Sequence, residues 1–279
     1  MPQESPAFSG EGCRVEWWPA YLVLGTVVGF FAGLLGIGGG LVIVPVLTFI
    51  FTAQAFPPDR ILHLALGTTM AAIIFSSAAS LRTHHVHGAV NWQVVKFITP
   101  GIILGTLGGA TVVSMLSSHF LGIVFVVFIY YAATQMLLNI RPRPSRMLPG
   151  RLGMLAAGSV IGAISSFVAI GGGLLTIPFL SLCNVKLQHA IGTAAAVGFP
   201  IALAGAVGYM INGMAQPEPL PEYSLGYVYL PALGWIVLGS TLTAPIGAKT
   251  THVMQTATLR KVFVVLLYLL GTRMLIRLF

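Results

Sequence analysis

The chain has 279 residues, of which 56% are hydrophobic and only 7% charged, against roughly 25% charged in an ordinary soluble domain. That composition excludes a water-soluble globule and points to an all-α polytopic membrane protein. The formal net charge is +8, and all six acids fall outside the long apolar runs, Glu4, Glu11 and Glu16 in the N-terminal tail, Asp59 in an expected loop and Glu218 and Glu222 in another, which argues against the membrane carboxylate relays of pumps and antiporters.

Residues 1–19 form a polar tail without the positive start and short apolar core of a cleaved signal peptide, so the first apolar segment is expected to be retained. Trp17 and Trp18 then stand where an interfacial aromatic belt belongs. Long apolar runs follow near 21–51, 63–81, 92–116 and 120–140, and again near 152–182, 189–211, 225–247 and 259–279. A bilayer core about 30 Å thick needs roughly 20 such residues per helical crossing. Between the two sets lies a basic, proline-containing linker, 141–151, with Arg141, Arg143, Arg146 and Arg151. The chain therefore divides into the tail, a first membrane repeat at 20–140, the linker, and a second membrane repeat at 152–279.

The two sets are copies. GFFAGLLGIGGGLVIVPVL at 29–47 aligns without gaps on GAISSFVAIGGGLLTIPFL at 162–180, with eight identities at an offset of 133. VFVVFIYYAATQMLL at 124–138 matches VFVVLLYLLGTRMLI at 262–276, and LGTTMAA from Leu66 matches IGTAAAV from Ile191. Internal repetition in a fixed order is the mark of duplication.

The first run of each copy has an awkward length. As one helix, residues 21–51 would reach roughly 46 Å, too long for one straight crossing and too short for two with a turn. The glycines 38–40 and 171–173 are the helix-weakening clusters available to break it. Each first run is thus expected to be two half-length helices meeting inside the membrane, as a re-entrant hairpin, with three further transmembrane helices per half. Broken backbone is tolerated at that depth only where protein buries it or it lines a cavity. With an odd number of crossings per half, the halves are expected to be inverted repeats, a parallel eight-crossing arrangement being the alternative. The linker, the 82–89 loop with Arg82, the Lys186 loop and the Lys249–Lys261 stretch then fall on the cytoplasmic side, and the loop with Glu218 and Glu222 outside. Arg273 and Arg277 run against that pattern.

Each second half-helix opens at its glycines with unpaired amides and the positive end of a helix dipole, an anion site that needs no charged side chain. The candidate binding residues are Gly38, Gly39, Gly40, Gly171, Gly172 and Gly173, with the hydroxyls of Thr68, Thr69, Thr193, Ser165 and Ser166. The competing readings are glycines that only permit close helix packing and hydroxyls that bond their own helix. Pro45 and Pro178 read as bends in the half-helices. The run Arg82-Thr83-His84-His85-Val86-His87 reads as a solvated loop, and His63, His189 and His252 as interfacial. Cys13 and Cys183 suggest neither a disulfide nor a metal cluster. The glycines lack the soluble βαβ setting of a dinucleotide fingerprint. No nucleophile, base and orienting partner can be named together, so no enzyme is expected. No cofactor, metal or nucleic acid is expected either; the partners are a small anion and the bilayer, with the oligomeric state open.

The duplicated G-x-G-G-G with a proline five residues on, the following G-T segment and the two-half layout resemble the sulfite exporter TauE/SafE family, from about residue 20 to the end. The resemblance implies secondary transport, usually export, of small sulfur-containing anions such as sulfite or organosulfonates across a bacterial inner membrane. It places the motif glycines at Gly38, Gly39, Gly40 and Gly171, Gly172, Gly173. The second copy departs from the first by Ala169 in place of Gly36 and Ala194 in place of Thr69. The expected mechanism is alternating access, one repeat rocking against the other around an anion held by both half-helix N-termini. A passive anion channel, a non-transporting membrane subunit and a metal permease are the alternatives.

Overall fold

The computed structural model describes residues 17–35, 39–138, 147–250 and 256–278; the side chains of 33–35, 247–250 and 256–259 are not described. Gly36, Gly38, Arg141, Arg143, Arg146 and His252 lie outside the described residues. Ten helices are present among those described: α1 (Trp18–Leu35), α2 (Gly40–Ala53), α3 (Pro58–Val86), α4 (Trp92–Ser114), α5 (Ser118–Leu138), α6 (Arg151–Val168), α7 (Gly173–Leu182), α8 (Leu187–Met214), α9 (Leu230–Thr250) and α10 (Thr256–Leu278). A two-residue hairpin, β1 (Ser224–Leu225) and β2 (Val228–Tyr229), precedes α9. Five helices (α3, α4, α5, α6 and α8) are long and apolar enough to cross a bilayer. Large apolar side chains such as Val23, Leu104, Val127, Val160, Leu242 and Leu269 are exposed on the outside, while Thr68, Thr69, Ser165, Ser166, Thr176 and Thr193 are buried, as suits a protein solvated by lipid.

Both first runs are broken at their glycines. α1 ends at Leu35 and α2 starts at Gly40; α6 ends at Val168 and α7 starts at Gly173. The chain doubles back at each break. The Tyr21 hydroxyl at the start of α1 donates to Gln54 Oε1, just past the end of α2, at 3.1 Å. In the second copy, Arg151 at the start of α6 lies over the Phe97 ring near the start of α4, and Val185, past the end of α7, lines a cavity with Val90, Asn91 and Trp92 just before and at that same start. Pro45 and Pro178 sit inside α2 and α7.

The halves interlock. α1 packs on α9 of the other half, and α6 packs on α4 of the first. In both pairs the helices run parallel and glycines let the backbones touch: a Cβ at Gly25 would strike Ile236, and one at Gly29 would strike Ser240. Gly101 faces Leu155, Gly105 faces Ser159, and Gly162 faces Ile102. α3 and α8, which correspond in the repeat, cross antiparallel at the centre, with Gly67 against Tyr209, Met70 against Gly205, and Ser77 against Gly198. α5 and α10 also correspond and run antiparallel; Tyr130 and Tyr268 hydrogen-bond across them to Thr272 and Thr134, each at 2.7 Å.

Two expectations change. Residues 82–86 are not loop but the last turn of α3, whose hydrogen bonds continue through Thr83 Oγ1 to the Ala79 carbonyl and the His87 amide to the Thr83 carbonyl. Asp59 lies in the first turn of α3 rather than in a loop, where a negative charge suits the positive helix end.

The interlocking glycines carry a direct check. Gly105 and Gly108 lie three residues apart on α4, but a Cβ at Gly105 would strike the Ser159 carbonyl, whereas Gly108 has nothing within 4 Å. Gly105→Ala is expected to destabilise the purified protein by about 1–3 kcal/mol. Gly108→Ala is expected to be neutral or slightly stabilising. Thermal unfolding in detergent distinguishes them.

Candidate functional site

The first break turns at Gly39, the N-cap of α2, with φ 62° and ψ −13°. This is the left-handed region that glycine enters without penalty, and a Cβ there would also strike the Val28 side chain. The Gly39 carbonyl accepts the amides of Val42 and Ile43 at 3.0 and 3.1 Å. The second break turns differently. Ala169, which stands where the first copy has Gly36, caps α6 with φ 45° and ψ 53°, and the Ser165 carbonyl accepts the Ile170 amide at 3.3 Å. Gly172 then caps α7 in an ordinary helical conformation.

The breaks meet. A Cβ on Gly40, the first residue of α2, would strike the carbonyl oxygen of Ala169 and crowd Ile73 of α3. Gly172 lies against Ala194 and Gly198 of α8, and Gly198 in turn lies near Ser77 of α3. Gly39, Gly40, Gly171, Gly172 and Gly173 are all buried. The described glycines of both turns are thus enclosed by protein, the second pair of neighbours lying where α3 and α8 cross. Cavities of about 530 and 450 Å³ lie elsewhere, the first between the ends of α2, α3, α5 and α10, the second beside Asn91 and His189.

The hydroxyls divide by what they do. Thr68 Oγ1 accepts the Tyr229 amide at 2.9 Å, and Thr193 Oγ1 accepts the Asn91 amide at 3.0 Å. Each G-T pair therefore caps the entry of the other half's α9 or α4, with Gly67 against the Tyr227 carbonyl and Gly192 against the Ala89 carbonyl. Thr69 donates to the Ala65 carbonyl at 2.6 Å, and Ser166 to the Ala163 carbonyl at 2.7 Å. Ser166 also offers its own carbonyl to the Tyr209 hydroxyl at 2.7 Å. Ser165 is different: 1% exposed, in the last turn before the second break, its Oγ has no partner among the described residues. Thr176 Oγ1, in the first turn after that break, is equally buried and equally unpartnered. Thr176 is a lone hydroxyl in an apolar stretch of its half-helix, and the repeat alignment sets it opposite Ile43.

At one end of the bundle the halves are tied by charge. Arg60 of α3 pairs with Glu218 at 3.1 Å and donates to the Tyr227 hydroxyl at 3.2 Å. Burial pushes the Tyr227 phenol up, and the Arg60 guanidinium partly opposes this. His63, near the same end, is buried against Tyr227, its Nε2 3.0 Å from the Val113 carbonyl oxygen and its Nδ1 3.4 Å from Ser118 Oγ. His85 faces Trp92, Nδ1 accepting the indole N–H at 3.2 Å. Among the described residues no group of three or more His, Cys, Asp or Glu could hold a metal ion.

Comparison with known proteins agrees with this architecture. The chain is 34% identical over 259 residues to a Haemophilus influenzae protein described as a probable membrane transporter protein, covering 92% of this chain and 97% of that one. A Methanocaldococcus jannaschii protein described in the same words is 27% identical over 266 residues, covering 92% and 95%. A Bacillus subtilis protein, YunE, again so described, is 26% identical over 276 residues, covering 91% and 96%. No solved structure matches. The profile of the family described as Sulfite exporter TauE/SafE matches residues 21–274, the whole of the interlocked bundle but for its outermost residues, and the chain belongs to that family of multi-pass membrane transporters.

Proposed function

We propose that this protein exports small sulfur-containing anions, such as sulfite or organosulfonates, across a bacterial inner membrane by alternating access around the two glycine breaks. The observation that carries the reading is the contact of Gly40 with the Ala169 carbonyl. It sets the N-terminus of α2 against the second break, from which α7 starts, inside the protein and away from lipid, where anion-binding amides act most strongly. The halves are inverted repeats in this reading. The antiparallel pairing of α3 with α8 and of α5 with α10, together with a doubled-back first run in each half, supports the inversion. The acids stay out of the apolar interior, so the membrane potential itself is the proposed driving force: expelling one negative charge from a negative interior gains about 2.3 kcal/mol per 100 mV.

Two measurements test this reading. Efflux of sulfite or sulfoacetate from proteoliposomes is expected to rise as the interior is made negative; flux that ignored voltage and followed a pH gradient would sink the uniport version. Gly40→Val places a branched side chain against the Ala169 carbonyl and Ile73. It is expected to lower flux at least about tenfold, corresponding to 1–3 kcal/mol of misfit at the contact. Unchanged flux from a folded Gly40→Val protein would remove the breaks from the transport path.

A further inference from the structure

Helical hydroxyls in this protein commonly satisfy themselves: Thr26, Thr48, Thr52, Thr69 and Thr111 each donate to the carbonyl four residues back. Thr176 does not. Its amide reaches the Gly172 carbonyl at 3.0 Å, yet its hydroxyl is fully buried and has no partner among the described residues. Thr176 lies in the first turn of α7, and helical side chains lean toward the N-terminus of their own helix. The Thr176 side chain therefore leans back toward the end of α7 that opens at Gly172 and Gly173. Ser165, buried and unpartnered in the same way, stands in the last turn of α6 on the other side of the break. In the first copy, the aligned positions are Ala32 and Ile43, which have no hydroxyl.

We propose that the anion is gripped asymmetrically: Thr176 and Ser165 at the second break are its side-chain donors, and the first break contributes only backbone and an apolar wall. The proposal rests on the reading of the glycine breaks as the anion site and assigns their selectivity to one of them. Two buried O–H donors, one in the last turn of α6 and one in the first turn of α7, fit a ligand with negative charge and several acceptor oxygens, such as a sulfite or sulfonate group. Leaving such donors unmade destabilises the empty protein, and an acceptor on the ligand removes that cost. The interlocked fold has no evident use for an orphan hydroxyl at this point, where the first copy packs an isoleucine.

The test is thermal unfolding of the full chain in detergent, titrated with sodium sulfite or sodium sulfoacetate, for wild type, Thr176→Val, Thr176→Ser and Ser165→Ala. Thr176→Val is expected to raise the melting temperature without anion and to weaken sulfite or sulfoacetate binding about tenfold, the loss of one hydrogen bond to a charged group. Thr176→Ser is expected to restore binding close to wild type, and Ser165→Ala to weaken it. Unchanged affinity in Thr176→Val overturns the proposal whatever the melting temperature. If Gly40→Val still abolishes proteoliposome flux in that case, the breaks stand as the transport site and only the asymmetry falls. A stabilisation that follows sodium when choline salts are substituted, regardless of the anion, also overturns it. A wild-type protein that neither binds nor moves either anion removes the parent reading and this one together.

Discussion

Everything in this bundle follows from the fate of backbone amides and carbonyls freed inside the membrane. A helix that stops at depth leaves polar groups that lipid cannot satisfy, so each break must be wrapped by protein. Gly39 and Gly172 turn within the junction of α3 and α8, and Gly40 lets α2 start directly against the carbonyl of Ala169. A side chain at Gly40 would hold the two breaks apart. The contact therefore decides whether the protein has two separate backbone irregularities or one shared polar centre.

Enclosure of that centre is achieved by exchange. α1 leads into the first break but packs on α9 of the second half, and α6 leads into the second break but packs on α4 of the first. The G-T pairs repeat the exchange on a smaller scale, Thr68 capping the entry to α9 and Thr193 the entry to α4. In lipid there is no hydrophobic force to hold helices together, so association depends on close packing and on hydrogen bonds. The glycine faces that put Gly25 on Ile236 and Gly101 on Leu155 supply the packing, and the reciprocal threonine bonds supply the polar part.

Much of this was legible in the sequence, for identifiable reasons. The breaks were visible because a run of 31 apolar residues fits no whole number of crossings and glycine is the cheapest place to end a helix. Duplication was visible because the glycine cores align without gaps. The helical extension through His84 and His85 was not visible, since polarity marks a span's exit from the membrane but not the end of its hydrogen-bond ladder. Thr68 and Thr193 were read as candidate anion-binding hydroxyls, but the partners they have, the amides of Tyr229 and Asn91, are 161 and 102 residues away. No local pattern encodes a bond of that span. The neighbours of His63 were hidden for the same reason: Val113, Ser118 and Tyr227 come from three other parts of the chain.

The exchange also constrains how such a protein can move. Rocking one sequence half against the other would peel α1 from α9 and α6 from α4, opening glycine contacts at Gly25, Gly29, Gly101, Gly105, Gly158 and Gly162 at once. Backbone-to-backbone packing of that kind has few side chains that could slide or change rotamer to absorb the displacement, so in the proposed alternating access these pairs would travel together. The seams free to change are those made by side chains: α3 against α8, where Met70 meets Gly205, and the end tied by Arg60, Glu218 and Tyr227. The glycine breaks lie where the first of these seams passes the middle of the bundle. For the proposed alternating access, a rigid-body boundary drawn there, across the repeats rather than between them, would put both half-helix N-termini on moving surfaces.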